Sequence, residues 1–147
     1  MLKIPPPLLV LILVIANYFS SKKIDLIHLP NQDLISILIL LIGILILINP
    51  IFKFIKSKTT IDPIKFKKVN KLITSGIYKY SRNPMYLGMA LILLGLALMF
   101  NLIGGTLFTI LFTIFITKFQ IRPEEEVMEK LFGEDFLKYK KNVRMWL

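Results

Sequence analysis

The chain has 147 residues, of which 55 % are hydrophobic, and its mean hydropathy is +0.68. The apolar residues are gathered in long runs, which indicates an integral membrane protein with one domain over residues 1–147. The net charge of +10 would suit nucleic-acid binding in a soluble protein, but cytoplasmic loops explain the same lysines, so no nucleic-acid partner is predicted. Cysteine is absent and His28 is the one histidine, which excludes disulfides and predicts no metal site.

The first two apolar runs predict membrane helices over residues 5–20 and 34–55. The first run is short for a span of about 20 residues, so a cleaved signal peptide is an alternative, with Val14 and Ala16 as a passable cleavage pattern. A retained helix is favoured because further membrane segments follow it instead of a secreted domain. The second run is long enough to span, and Pro50 should kink or end it near its basic flank.

The last two apolar runs predict membrane helices over residues 84–100 and 104–121. Asn101 and the pair Gly104-Gly105 supply turn chemistry between them, so a tight antiparallel hairpin is expected. The predicted class is therefore an all-α membrane protein with about four spans in the lipid bilayer.

The distribution of basic residues predicts the orientation of these spans. Nine Lys or Arg residues but one acid lie between Lys53 and Arg82, and six more follow Phe119, whereas the hairpin tip has none. By the positive-inside bias, the segment 56–83, the tail 122–147 and both termini should be cytoplasmic.

The tail is expected to form two amphipathic helices separated by Gly133. Basic residues share the second helix with apolar ones, which suits a helix at the lipid surface. The apolar positions assigned to this second helix are Phe136, Tyr139, Val143 and Trp146.

The stretch "SRNPMYLG", residues 81–88, could be helix punctuation or part of a site. Asn83-Pro84 is a favoured way to begin a helix, and Arg82 could be one more cytoplasmic anchor. Tyr86 follows at helical spacing, so the polar groups can gather on one side. Gly88 and Gly95 share a face that admits either a ligand or a neighbouring helix.

The stretch "RPEEEVMEKLFG", residues 122–133, raises the same alternatives. Acids after a proline are typical of a first helical turn, where they meet the positive end of the helix dipole. Glu126 can pair with Lys130 on the solvent side, whereas Glu124 and Glu125 lead into the apolar stripe. Carboxylates in that position need a cationic or hydrogen-bonding partner.

The two segments "TSGIYKYSRNPMYLG" and "RPEEEVMEKLFGEDFLKYKKNVRMWL" together resemble the isoprenylcysteine carboxyl methyltransferase family, within the wider group that includes phospholipid N-methyltransferases. The resemblance covers roughly residues 70–147. It implies a membrane enzyme that binds S-adenosylmethionine on its cytoplasmic side and methylates a lipophilic acceptor. By position, it implies catalytic roles for Arg82 and Asn83 and cofactor contacts from Gly76, Tyr78, Tyr86, Gly88, Glu124 and Glu125.

This chain departs from the family pattern at several positions. Asn83 stands where many members have histidine, and Gln120 stands where some relatives have arginine, a role for which Lys118 or Arg122 could substitute. Phe136 replaces one tyrosine. The acceptor stays open among a prenylcysteine carboxylate, a phospholipid amine and a small quinone or thiol, as does the oligomeric state. Two other function classes also stay open: an NADPH-dependent membrane reductase and a membrane scaffold without enzymatic activity.

Overall fold

The computed structural model describes residues 4–22, 30–56, 72–100 and 102–147, with residues 51–56 described by their backbone alone. Within these ranges the chain is helical and contains no strand, which confirms the all-α class. His28, residues 57–71 of the basic segment and Asn101 of the hairpin turn lie outside the described residues. The described helices are α1 Pro6–Ser21, α2 Gln32–Lys56, α3 Pro84–Phe100, α4 Leu102–Ile116, α5 Arg122–Phe132 and α6 Glu134–Asn142, with a 3-10 turn at Gly76–Lys79.

Two of the described helical segments are long and apolar enough to cross a membrane. They are Gln32–Pro50 within α2 and the continuous helix Leu102–Phe132, whereas α1 and α3 are apolar but shorter. The helix α2 also passes through Pro50 and is described as far as Lys56, so this proline does not end it.

The helix α3 is the centre of the bundle. It packs against α1, α2 and α4, and nine of its 17 residues are buried. A helix that is apolar all round its circumference suits such a position, because every face meets another apolar surface. The core between α3 and α4 includes Leu93, Phe112 and Ile116, and residues of α1 pack over it.

Close backbone contact joins α3 to α2 at Gly88 and Gly95. A methyl group on Gly88 would lie 2.8 Å from the carbonyl oxygen of Gly43, and one on Gly95 would lie 2.9 Å from the backbone nitrogen of Leu40. Both distances are shorter than van der Waals contact. The glycine face of α3 is therefore filled by a neighbouring helix, which is one of the two roles that the spacing predicts.

Large apolar side chains cover the outside of the bundle. Leu11, Leu45, Leu107 and Ile114 are each about half exposed or more, and they lie on α1, α2 and α4. A contiguous apolar exterior of this size is unfavourable in water and matches the solvent of a hydrocarbon bilayer. The structure thus supports the membrane character predicted from the composition.

The helix α4 does not end where the apolar run ends. A π-helical turn at Thr117–Ile121 links it to α5, so one helix runs from Leu102 to Phe132. Pro123 lacks the backbone N–H that a regular α-helix would use, and a wider turn just before it accommodates that loss. The predicted span 104–121 and the first predicted helix of the tail therefore form one continuous helix as far as Phe132.

The tail bends at Gly133, as predicted. Its φ of 52° is strained for residues with a side chain, and this bend lets α6 fold back towards α3. The prediction that Val143 and Trp146 continue the second helix is wrong, because α6 ends at Asn142 and Val143 is extended. The backbone there makes tertiary hydrogen bonds in place of further helical ones.

Candidate active site

The two sequence segments that suggest a site lie at the same end of the bundle. The side chain of Tyr86, in the first turn of α3, reaches Glu124 near the start of α5. Because α3 begins where the α4–α5 helix leaves the apolar region, the antiparallel hairpin brings residues 76–88 against residues 120–140. These contacts define the candidate site.

Glu124 is held by two neutral donors. The Tyr86 hydroxyl donates to its Oε1 at 2.8 Å, and the Gln120 side-chain amide donates to the same oxygen at 2.6 Å. Among the described residues, no hydrogen bond is formed by Glu124 Oε2. A partly buried carboxylate therefore keeps one oxygen available to accept a hydrogen bond from a ligand.

Glu125 is buried and paired with a cation. Arg82 approaches its Oε1 with Nε at 2.9 Å and Nη2 at 2.7 Å, and the two side chains are 8 % and 10 % exposed. The Lys140 ammonium lies 3.7 Å from Oε2. Both oxygens of Glu125 thus face positive groups of the chain, in contrast to the open oxygen of Glu124.

Arg82 also binds the C-terminal segment, residues 143–147. Its Nη1 donates to the carbonyl oxygens of Val143 and of Lys140, the latter at 3.2 Å, and its backbone N–H donates to the Arg144 carbonyl at 3.0 Å. One guanidinium therefore connects the start of α3, α5 and the chain end, a use that suits its rigid fork of donors.

Asn83 makes a parallel contact next to Arg82. Its side-chain amide donates to the Met145 carbonyl at 3.1 Å, and its backbone N–H donates to the Ser81 hydroxyl at 3.1 Å. The position where many relatives have histidine thus holds the chain end in this protein. Catalytic roles for Arg82 and Asn83 stay predictions.

A second aromatic layer lies behind these groups. The Tyr139 hydroxyl donates to the Tyr78 carbonyl at 2.7 Å, and both rings are buried with Phe136. Burial raises the pKa of Tyr139 to about 12 and raises the pKa of Tyr78 well above its ordinary value. Both phenols therefore remain protonated at neutral pH.

The two candidate glycines lie in different surroundings. Gly76 has a φ of 68° and is exposed at the start of the 3-10 turn that carries Tyr78. Gly88 faces the backbone of α2 at Gly43 and Leu47. The structure explains Gly88 by helix packing, and cofactor contact at either glycine stays a prediction.

Two residues of this cluster were missed as site candidates from the sequence. Gln120 was noted as a departure from the family pattern, although its spacing of four from Glu124 already placed the two on one helix face. Lys140 carries no such signal, because it meets Glu125 through the fold of α6. Lys118 and Arg122 do not join the cluster around Glu124, because they lie beside Trp146 on another face of the helix.

The sequence also matches a known family model. Residues 32–135 match the model described as phospholipid methyltransferase. The chain belongs to this family. No solved structure matches it significantly.

Two relatives of this phospholipid methyltransferase family member show how far the similarity extends. It is 35 % identical to the protein-S-isoprenylcysteine O-methyltransferase of Schizosaccharomyces pombe over 82 residues, and these aligned residues make up 54 % of this chain and 34 % of that protein. It is 41 % identical to an uncharacterized protein of Haemophilus influenzae over 63 residues, and these aligned residues make up 43 % of this chain and the whole of that protein. The match thus spans about a third of the length of the S. pombe relative.

Proposed function

We propose that this protein is a membrane methyltransferase that uses S-adenosylmethionine and methylates a lipophilic acceptor. The observation that carries the proposal is the half-buried Glu124 carboxylate, which two neutral donors orient while its second oxygen keeps its acceptor capacity. The family membership supports methyl transfer as the reaction.

The donor and acceptor groups of the site fit this cofactor. Its ammonium and ribose hydroxyls donate hydrogen bonds, and Glu124 Oε2 can accept one of them. The ring of Tyr86, which is only partly buried, offers aromatic surface beside the Glu124 carboxylate. The site suits NADPH less well, because Arg82 is engaged by Glu125 and the carboxylates repel a phosphate.

Alignment and water exclusion are the contributions expected from the protein. S-adenosylmethionine, when bound, supplies a methyl group on a sulfonium, which is electrophilic without further activation. Tyr86 and Gln120 fix the Glu124 carboxylate, and the C-terminal segment, held by Arg82 and Asn83, covers this end of the bundle. Such preorganisation orients the reacting groups and keeps the site poor in water.

The proposed acceptor is a prenylcysteine-like carboxylate or a lipid amine. The name of the S. pombe relative supports the first, and the family description supports the second. In this proposal all four apolar helices span the bilayer, and the basic segment, both termini and the site face the cytoplasm. The lysine and arginine distribution supports this orientation.

Calorimetric titration of the purified protein in detergent tests the cofactor half of the proposal. S-adenosylmethionine should bind the wild type, and Glu124→Gln should weaken binding about 10-fold to 100-fold, the range for a lost charged hydrogen bond. The matched control is Glu126→Gln, which removes the same charge two residues away at an exposed position of the same helix.

Equal affinities of the wild type and Glu124→Gln would refute the assigned role of Glu124. Binding of NADPH but not of S-adenosylmethionine would refute the proposed reaction. The acceptor is then identified by incubating membranes with labelled S-adenosylmethionine and separating peptide from lipid fractions. Label in neither fraction would contradict a lipophilic acceptor.

A further inference from the structure

A groove of about 380 Å³ runs along the outer face of the α4–α5 helix, near the point where its apolar part ends. It lies outside the site around Glu124, and Trp146 is the lining residue that also packs against the core of the bundle. One cation and one threonine come from the π-helical turn, and the single tryptophan of the chain comes from the C-terminal segment. The lining residues are Thr113, Ile114, Thr117, Lys118, Arg122 and Trp146.

Two exposed cations lie on the same wall of this groove. Lys118 and Arg122 are one helical turn apart, so their side chains can meet one anionic group. Within the described ranges, no carboxylate lies at salt-bridge distance from either cation. Lys140 differs in this respect, because its ammonium lies 3.7 Å from both Glu125 and Glu129. The groove thus carries positive charge that the described protein does not neutralise.

The surroundings of the groove indicate that this anion belongs to a lipid. On the N-terminal side of the cations, α4 presents a row of exposed apolar side chains that includes Leu107, Leu111 and Ile114. Trp146 is fixed at the boundary, since its indole N–H donates to the Thr117 hydroxyl at 3.2 Å. Tryptophan and basic residues at the end of an apolar helix mark the level of lipid headgroups.

The groove is distinct from the candidate active site. Gln120 and Glu124 lie two residues after Lys118 and Arg122 respectively, and side chains two apart on a helix project towards nearly opposite sides. The Glu124 oxygen faces Tyr86 of α3, whereas the groove opens to the exterior. A lipid in the groove is therefore separated from the methyl acceptor by the helix itself.

We propose that this groove binds one anionic phospholipid, with its phosphate between Lys118 and Arg122 and an acyl chain along α4 beside Ile114. The apolar wall favours a lipid over free phosphate, because it contributes only when a hydrocarbon chain is attached. Such a lipid would contact two parts of the chain at once. One is the π-helical turn, which positions Gln120, and the other is the C-terminal segment, which carries Trp146.

The single tryptophan makes the test local. Purified protein in neutral detergent micelles is titrated with phosphatidylglycerol or phosphatidylcholine carrying brominated acyl chains, which quench tryptophan fluorescence on contact. Brominated phosphatidylglycerol should quench Trp146 at a concentration about 30-fold lower than brominated phosphatidylcholine, given two cations near the membrane surface. In the variant K118Q/R122Q the two lipids should become nearly equivalent.

The matched control is K138Q/K141Q, which removes two exposed cations from α6 and should keep the wild-type preference. The single variant R122Q should lose part of the preference, and an unchanged Trp146 emission maximum without lipid shows that the groove is intact. Equal quenching of the wild type by both lipids would overturn the proposal. So would an unchanged preference in K118Q/R122Q, or displacement of the lipid by millimolar inorganic phosphate alone.

Discussion

Replacing Arg82 with glutamine should release the C-terminal segment from the bundle. Arg82 makes the charged pair with Glu125 and binds the carbonyls of Val143 and Lys140, and its side chain is 8 % exposed. Glutamine is shorter and uncharged, so Glu125 would stay buried without its main partner. The segment that carries Trp146 would lose a principal attachment.

The size of this effect follows from the burial of the pair. Removing one partner of a buried ion pair costs about 3–5 kcal/mol. Lys140 lies 3.7 Å from the other oxygen of Glu125 and is 42 % exposed, so it offsets part of the loss. A value near the lower end, about 3 kcal/mol, corresponds to roughly a 100-fold larger population of the released segment.

Fluorescence and digestion of the chain end measure this population. In Arg82→Gln the emission of Trp146 should shift to longer wavelength, and carboxypeptidase should remove the last residues roughly 100-fold faster, because cleavage follows the open population. Arg82→Lys should also release the segment, since lysine keeps the charge but lacks the planar fork.

The matched control is Arg144→Gln, which removes a cation from the segment itself. The contact of Arg144 with Arg82 is made by its backbone carbonyl, so its side chain can change without loss of that bond. Wild-type emission and wild-type digestion in Arg82→Gln would refute the assigned role of Arg82 in holding the chain end.

Two further predictions concern the packing of α3 and the aromatic layer. Gly88→Leu should reduce the free energy of unfolding by about 1–3 kcal/mol through overpacking against α2, and so lower the thermal midpoint measured without added cofactor. The control Leu45→Phe, on the exposed side of α2, should keep the wild-type midpoint. Equal midpoints of the two variants would contradict the close contact at Gly88. Tyr139→Phe should cost about 1 kcal/mol through its lost bond to Tyr78. The pKa of Tyr139 is about 12 in the folded protein and about 10 in the unfolded chain, so the protonated phenol contributes stability that is fully present below pH 10 and is lost as the pH rises towards 12. Tyr139→Phe should therefore flatten the alkaline fall of the thermal midpoint. Identical pH profiles of the wild type and the variant would refute this.

The membrane helices were largely predictable because long apolar runs have few alternatives. Residues 84–100 form α3 with the predicted bounds, and α1 and α2 differ from the predicted ranges by one or two residues. The turn role predicted for Gly104 and Gly105 is wrong, because α4 already begins at Leu102 and both glycines are buried within it. Gly133 was also predictable as a bend, since glycine adopts a positive φ at little cost. These features depend on local composition, which the sequence displays directly.

The continuation of α4 into α5 was not predictable in the same way. Pro123 normally marks the start of a helix, and its effect here depends on the preceding π-helical turn. The end of α6 also escaped prediction, because Val143 fits the apolar spacing of a helix yet gives its carbonyl to Arg82. A tertiary hydrogen bond outweighed the local pattern at that residue.

For the candidate site, the sequence was sufficient to identify the residue types, whereas the partner of each side chain is visible only in the fold. The sequence alone determined that a Tyr-bearing motif and an acidic pair flank the last two apolar runs, since hydrophobicity and helical spacing are properties of neighbours along the chain. Only the tertiary structure separated Glu124, with an oxygen able to accept from a ligand, from Glu125, which Arg82 neutralises. Such a distinction depends on partners about forty residues away, and those partners are set by how α3, α5 and α6 pack together.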